Sequence, residues 1–135
     1  MTVNDSSWFS FKRFAVALVA VAFGAAGGMA LIPFVGSYAG MGIGAFAAGL
    51  AFADRSLLET GLAAALTKVG TVTWSLLGGG IIDAIMSLIS LSPGIVLLSV
   101  VLSFGVGALG AHFGNDLRDG LTRPVDESGH QRGRL

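Results

Sequence analysis

At 135 residues the chain has room for one domain. Hydrophobic residues make up 53%, 21 glycines add to them, and charged residues make up 12%, about half the share of an ordinary soluble domain; mean hydropathy is +0.80. Eight basic residues balance eight acidic ones, so no overall field draws a polyanion. The composition excludes a soluble globular domain, a disordered chain and a nucleic-acid-binding domain, and points to an integral membrane protein. The absence of cysteine rules out disulfides, thiol nucleophiles and Cys-based metal sites. His112 and His130 are too few and too differently placed for a histidine cage.

Lys12 and Arg13 precede the first apolar run, which contains small residues at 24–28 in the manner of a signal peptide. The run does not end there, so it is read as a retained span. Uncharged sequence continues over 14–53. As one helix it would be about 60 Å long, twice the roughly 30 Å of bilayer hydrocarbon. Pro33 sits near its middle and breaks the helical ladder. The spacing therefore predicts two antiparallel spans, 14–32 and 34–53, joined by a very short uncharged turn.

Asp54, Arg55 and Glu59 interrupt next, and Ser56 stands where an N-cap is wanted. The third span is predicted from 57 to an end between 77 and 82, blurred by Gly78-Gly79-Gly80. Asp83, Ser87 and Ser90 then fall on one helical stripe opposite Ile85, Leu88, Ile89 and Leu91. That reads as a short amphipathic helix over 83–92, capped by Asp83 and either lying at the membrane interface or extending the third span. Pro93-Gly94 breaks it, and the fourth span is predicted over 95–114. Residues 115–135 hold half of all the charges with few apolar residues, so order is expected to end at about 122.

Four spans place both termini and the loop between spans two and three on one side, with Lys12, Arg13, Arg55, Arg118 and Arg123. The opposite loops hold no Lys or Arg. The positive-inside rule then puts both termini in the cytoplasm, with Trp8 and Phe9 as an aromatic anchor on that side.

Lipid tails are as apolar as Leu, so helices associate in a bilayer through close packing at small residues. Gly24 and Gly28 form one GxxxG; Gly36, Gly40 and Gly44 form a double one, continued by Ala48; Ser99, Ser103, Gly107 and Ala111 repeat at four, with Gly110 and Gly114 beside them. These stripes either pack one copy internally or offer a face to a second copy. Gly105, Gly107 and Gly110 also spell GxGxxG, but inside an apolar span with no strand before it, so no dinucleotide site is expected. Gly44 and Gly49 have P-loop spacing, yet Leu50 and Ala51 stand where Lys and Ser/Thr are needed.

Three polar residues are candidates for an intramembrane site. Lys68 falls near the middle of the third span, where a cation costs roughly 2.5–3.5 kcal/mol. It either snorkels to the cytoplasmic headgroups or faces the bundle to handle anions or protons. No acidic residue lies at three or four positions from it. Asp83 suits an N-cap or an interfacial residue better than an ion ligand. His112, near the cytoplasmic end of the fourth span, suits a headgroup contact better than a proton shuttle. There is no Ser-His-Asp set, no paired membrane carboxylates and no HExxH, so neither enzyme nor cofactor is expected.

The run Ile32-Pro33-Phe34-Val35-Gly36, then Gly40, Gly44 and Gly49, an Asp54-Arg55 turn, and Gly61 opening the next apolar helix resembles small glycine-rich four-span membrane proteins of haloarchaea, grouped as a domain of unknown function. The resemblance covers roughly 14–114 and implies the same four-span fold. It carries over no catalytic or binding residue. Lys68 and the 83–92 segment are not part of that pattern.

The expectation is thus an all-α integral membrane bundle of four transmembrane helices with glycine-zipper packing and a short amphipathic segment before the fourth. Residues 1–13 form a cytoplasmic segment, 14–114 the membrane domain and 115–135 a charged cytoplasmic tail. The chain would lie in the cytoplasmic membrane, with the lipid bilayer and a homo-oligomer or larger membrane complex as partners and no nucleic acid. The leading function is a structural or interaction module, such as an accessory subunit. Its rivals are an oligomeric channel or transporter of small ions with Lys68 on the path, and a holin-like pore former.

Overall fold

A computed structural model describes residues 9–33, 35–52 and 56–123, in backbone only at 84 and 88. All regular structure among them is α-helical: α1 (Phe11–Leu31), α2 (Val35–Ala51), α3 (Leu57–Gly78), α4 (Ile81–Ser90) and α5 (Pro93–Thr122). The expected anchor Trp8, the loop residues Asp54 and Arg55, and the tail from 124 onward lie outside the described residues.

Pro33 ends α1 as its missing N–H dictates. Ile32 N–H still bonds back to Gly28 O at 3.0 Å, and Gly36 N–H reaches over the turn to Ile32 O at 2.9 Å. Two helices are thereby reversed within about three residues. At the other junction Gly80 has φ +92, a conformation that glycine adopts without the strain a Cβ would bring. This turn starts α4 at Ile81, two residues before Asp83. The expected cap is corrected here: Gly80 occupies the N-cap position, and Asp83 lies in the first turn of α4, where a carboxylate complements the helix dipole. Ser56 does occupy the N-cap position of α3, but its Oγ makes no capping bond. It lies 3.5 Å from Thr60 Oγ1.

The last helix differs most from expectation. It starts at Pro93, whose missing N–H suits a first helical turn, and continues eight residues past the expected 114 to Thr122. The buried face of α5 runs one residue past the apolar run, and the turns beyond it are helix exposed on all sides. Gly114 and Asn115 remain buried while Asp116, Asp119 and Gly120 face outward.

α1 packs most extensively on α2, α2 on α5, α5 on α3, and α3 on α1, closing a ring of four. α4 packs on α3. Glycine contacts give the directions. Gly24 meets Gly40 while Gly28 meets Gly36, so α1 and α2 run antiparallel; Gly110 meets Gly42 while Gly114 meets Phe46, so α2 and α5 run parallel. The start of α1, the end of α2, the start of α3 and the end of α5 therefore share one end of the ring. The turn at Pro33 and the α4 region lie at the other.

The centre is made of small residues. Val21 and Ala25 of α1, Met41 and Ala45 of α2 and Ala64 of α3 form one buried cluster, with Val106 of α5 against it. Ala17, Ala48 and Ala63 form a second, nearer the chain ends. Large side chains point the other way: Phe23, Trp74 and Ile81 are each more than 75% exposed, and Leu97, Leu109 and Phe113 are also exposed.

Candidate functional site

Lys68 is placed by α3. Thr67, Thr71 and Ser75 follow one another at four-residue spacing beside it. Each hydroxyl donates to the carbonyl four residues earlier, at 2.8, 2.7 and 2.7 Å. A hydroxyl stripe can thus lie along an otherwise apolar helix with its protons satisfied and its oxygen lone pairs still open.

The Lys68 ammonium does not run toward the chain-terminal end. Its Nζ lies 4.5 Å from the centroid of the Tyr38 ring on α2, within cation–π range. Met29, Pro33, Ser37, Thr71 and Ser75 line the same cleft of about 390 Å³. The ammonium thus lies against α2, in a cleft that extends to the Pro33 turn. Among the described residues no carboxylate pairs with Lys68. Ser37 is 2% exposed, and its Oγ has no hydrogen-bond partner.

Asp83 is exposed at the start of α4 and does not join this cleft. His112 is at the opposite end, on α5. Its Nε2 stands 3.3 Å from Asp116 Oδ2, one turn on, with both side chains about half exposed, and its buried Nδ1 has no partner. The three candidate polar residues are thus dispersed. A polar cluster at the chain-terminal end went unforeseen. Glu59, 3% exposed, accepts the Ser10 N–H at 3.1 Å, and Ser56, Thr60 and Asn115 are buried on the same end of the ring. Among the described residues no three His, Asp or Glu side chains gather where a metal could be held.

The glycines meet backbone. A Cβ on Gly40 would collide with Gly24 O and lie 2.7 Å from its carbonyl carbon; one on Gly36 would collide likewise with Gly28. Gly44 meets Ala20 and Val21. Gly107 would press within 2.6 Å of Ala64 Cβ, Gly110 within 2.6 Å of Gly42 O, and Gly114 within 3.0 Å of Leu50 N. Two further close contacts, Gly49 on Ala111 and Gly61 on the Phe104 ring, were not among the expected packing positions. Gly105, by contrast, faces open space, and the GxGxxG run is plain helix within α5.

The sequence reading missed Ser37 and Tyr38. A signal was present, since they are the only polar side chains in the uncharged run 14–53. Only the antiparallel return of α2 beside α3 brings them to Lys68.

The fold and site define an all-helical protein with two helices, α1 and α5, long and apolar enough to cross a membrane; α2 is apolar but shorter. The chain belongs to the family described as a domain of unknown function (DUF8526), whose match covers residues 11–123. Neither a curated protein nor a solved structure matches it.

Proposed function

We propose that all four long helices cross the cytoplasmic membrane with both chain ends in the cytoplasm, and that the protein is a structural or interaction module without enzymatic activity. The large apolar side chains on the outside of the ring support membrane residence, because a water-facing surface does not carry so broad an apolar cover. Lys12, Arg118 and Arg123 lie toward one end and no Lys or Arg lies in the turn regions of the other, in keeping with the positive-inside rule.

One observation carries the choice of a structural role. Val21, Met41, Ala45 and Ala64 close the centre of the ring between the Lys68 cleft and the Glu59 cluster, so a single copy offers ions no continuous polar route. The glycine stripes of α1, α2 and α5 face inward. A second copy or a larger complex would therefore engage the outer faces or the charged tail.

The second reading is an oligomeric ion path past Lys68, favoured by the ammonium's lack of a carboxylate partner among the described residues. Flux in proteoliposomes separates the two. The structural reading expects anion and proton leak equal to that of empty vesicles. A wild-type flux abolished by Lys68→Met would establish the transport reading instead.

A further inference from the structure

We infer, on the membrane reading above, that the crevice between α3, α4 and the start of α2 is filled with water, opens on the side of the membrane opposite the chain ends, and stops at Lys68. α4 is mounted with its polar side inward. Ser87 and Ser90 line a cavity of about 420 Å³ together with Val72, Ser75 and Leu76 of α3. Asp83, on the same stripe, turns the same way: a Cβ on Gly79, at the end of α3, would lie 3.2 Å from its Oδ2. The apolar stripe of Ile81, Ile82, Ile85, Met86 and Ile89 is exposed. An amphipathic helix packed on a protein in water buries its apolar side. The reverse arrangement fits a helix with lipid outside it and a polar medium between it and its neighbour.

α3 supplies the facing wall. Thr71 and Ser75 have given their protons to the backbone, and their oxygen lone pairs are free to accept from water. The cavity behind α4 adjoins the Lys68 cleft at Val72 and Ser75, which line both. The joined space runs from the α4 end down to Lys68, about 10 Å along the helix from Ser75 at 1.5 Å per residue. Past Lys68 the core of Val21, Met41 and Ala64 closes the way. The ammonium has three N–H donors; it meets the face of the Tyr38 ring and pairs with no carboxylate among the described residues. A lipid chain in the crevice would leave those donors and the hydroxyl oxygens unbonded. Water bonds to both, and each of the two spaces is many times the room one water needs. Ionisable residues at bilayer depth characteristically face wet cavities of this kind.

The chain has no cysteine, and its lysines are Lys12 and Lys68 alone, so both thiol and amine labelling report on single positions. Full-length Thr71→Cys, Ser75→Cys and Thr73→Cys are treated in intact cells with an impermeant methanethiosulfonate, which reacts with the thiolate and so needs water at the sulfur. Thr73 lies at the same depth on another side of α3, exposed. Thr71→Cys and Ser75→Cys should react at least about tenfold faster than Thr73→Cys. In the wild type an impermeant amine reagent should modify Lys68 from outside the cell and spare Lys12. Equal, slow reaction of the three cysteines, as expected if lipid or a second copy fills the crevice, overturns the proposal. So does a wild-type Lys68 that stays unmodified from either side of the membrane, and this measurement decides if the cysteine variants do not fold. Equal, fast reaction of the three places α3 in water and overturns the membrane reading together with the crevice. A tenfold contrast found only in inside-out vesicles would uphold the crevice and reverse the orientation proposed above.

Discussion

The Nζ of Lys68 on α3 stands 4.5 Å from the centre of the Tyr38 ring on α2, so the lone mid-helix cation is held by a helix that is its diagonal neighbour in the ring. The contact couples two residues whose separate substitution should give different results. Lys68→Met removes an insertion cost of roughly 2.5–3.5 kcal/mol and loses a cation–π contact of about 0.5–2 kcal/mol. Stability should stay equal or rise. Tyr38→Leu keeps the ammonium and removes its ring, so it should destabilise by about 1 kcal/mol. In the Lys68→Met background the Tyr38→Leu cost should shrink. Reversible unfolding in mixed micelles, run as a double-mutant cycle, reads the coupling. A coupling of zero would show that the ring and the ammonium are neighbours without energetic consequence.

Glycine substitutions should sort by what their Cβ meets. Gly40→Ala places a methyl on the Gly24 carbonyl, with no flexible side chain to yield. Overpacking of this kind costs about 1–3 kcal/mol or more, and Gly40→Leu should separate α1 from α2 altogether. Gly27 and Gly70 face open space on the same two-helix scale. Gly27→Ala and Gly70→Ala should therefore be neutral or stabilise by up to about 1 kcal/mol through helix propensity. Melting in detergent checks both sets, and equal behaviour of Gly40→Ala and Gly70→Ala would refute the backbone-contact account.

Glu59 ties the start of α3 to the start of α1 through the Ser10 N–H. Glu59→Ala removes the acceptor while the site remains buried, at a cost of about 1.5–3 kcal/mol. Glu59→Gln keeps a carbonyl oxygen in place and should lose less. Hydrogen exchange at residues 10–14 should accelerate in Glu59→Ala, and unchanged protection there would mean that the bond does not hold the helix start.

The proposed topology sets the two ends of α5 on opposite sides of the membrane. Ser92 and Thr122 are exposed at opposite ends of α5. In intact cells an impermeant thiol reagent should label Ser92→Cys and spare Thr122→Cys until the membrane is opened. The reverse pattern would invert the proposed orientation.

Several features were legible without coordinates because they are local to the chain. Pro33 lacks an N–H whatever surrounds it, so two helices had to part there. Gly78-Gly79-Gly80 marked the next break, and Pro93 the one after. Composition alone required an apolar exterior. The end of α5 was harder to read, since the apolar run stops at 114 while the helix continues through Asn115 and an exposed stretch to Thr122. Asp83 was misplaced because the positive φ of Gly80 moves the helix start back to Ile81.

What the sequence by itself determined is the helical period, the breaks and the small-residue stripes, each a property of neighbours in the chain. What the tertiary structure decided is pairing. GxxxG spacing says that a helix can be approached closely, not by which partner; the ring order assigns Gly24 and Gly28 to α2, Gly110 and Gly114 to α2 as well, and Gly107 to α3. Lys68 likewise had no acidic residue within a turn, and its neighbours Ser37 and Tyr38 lie some thirty residues away along the chain. They meet because a Pro33 turn of a few residues folds α2 back alongside α1, and α3 packs against the pair. Contact across helices depends on direction and rotation about each axis, and neither is encoded in spacing along a single strand of sequence.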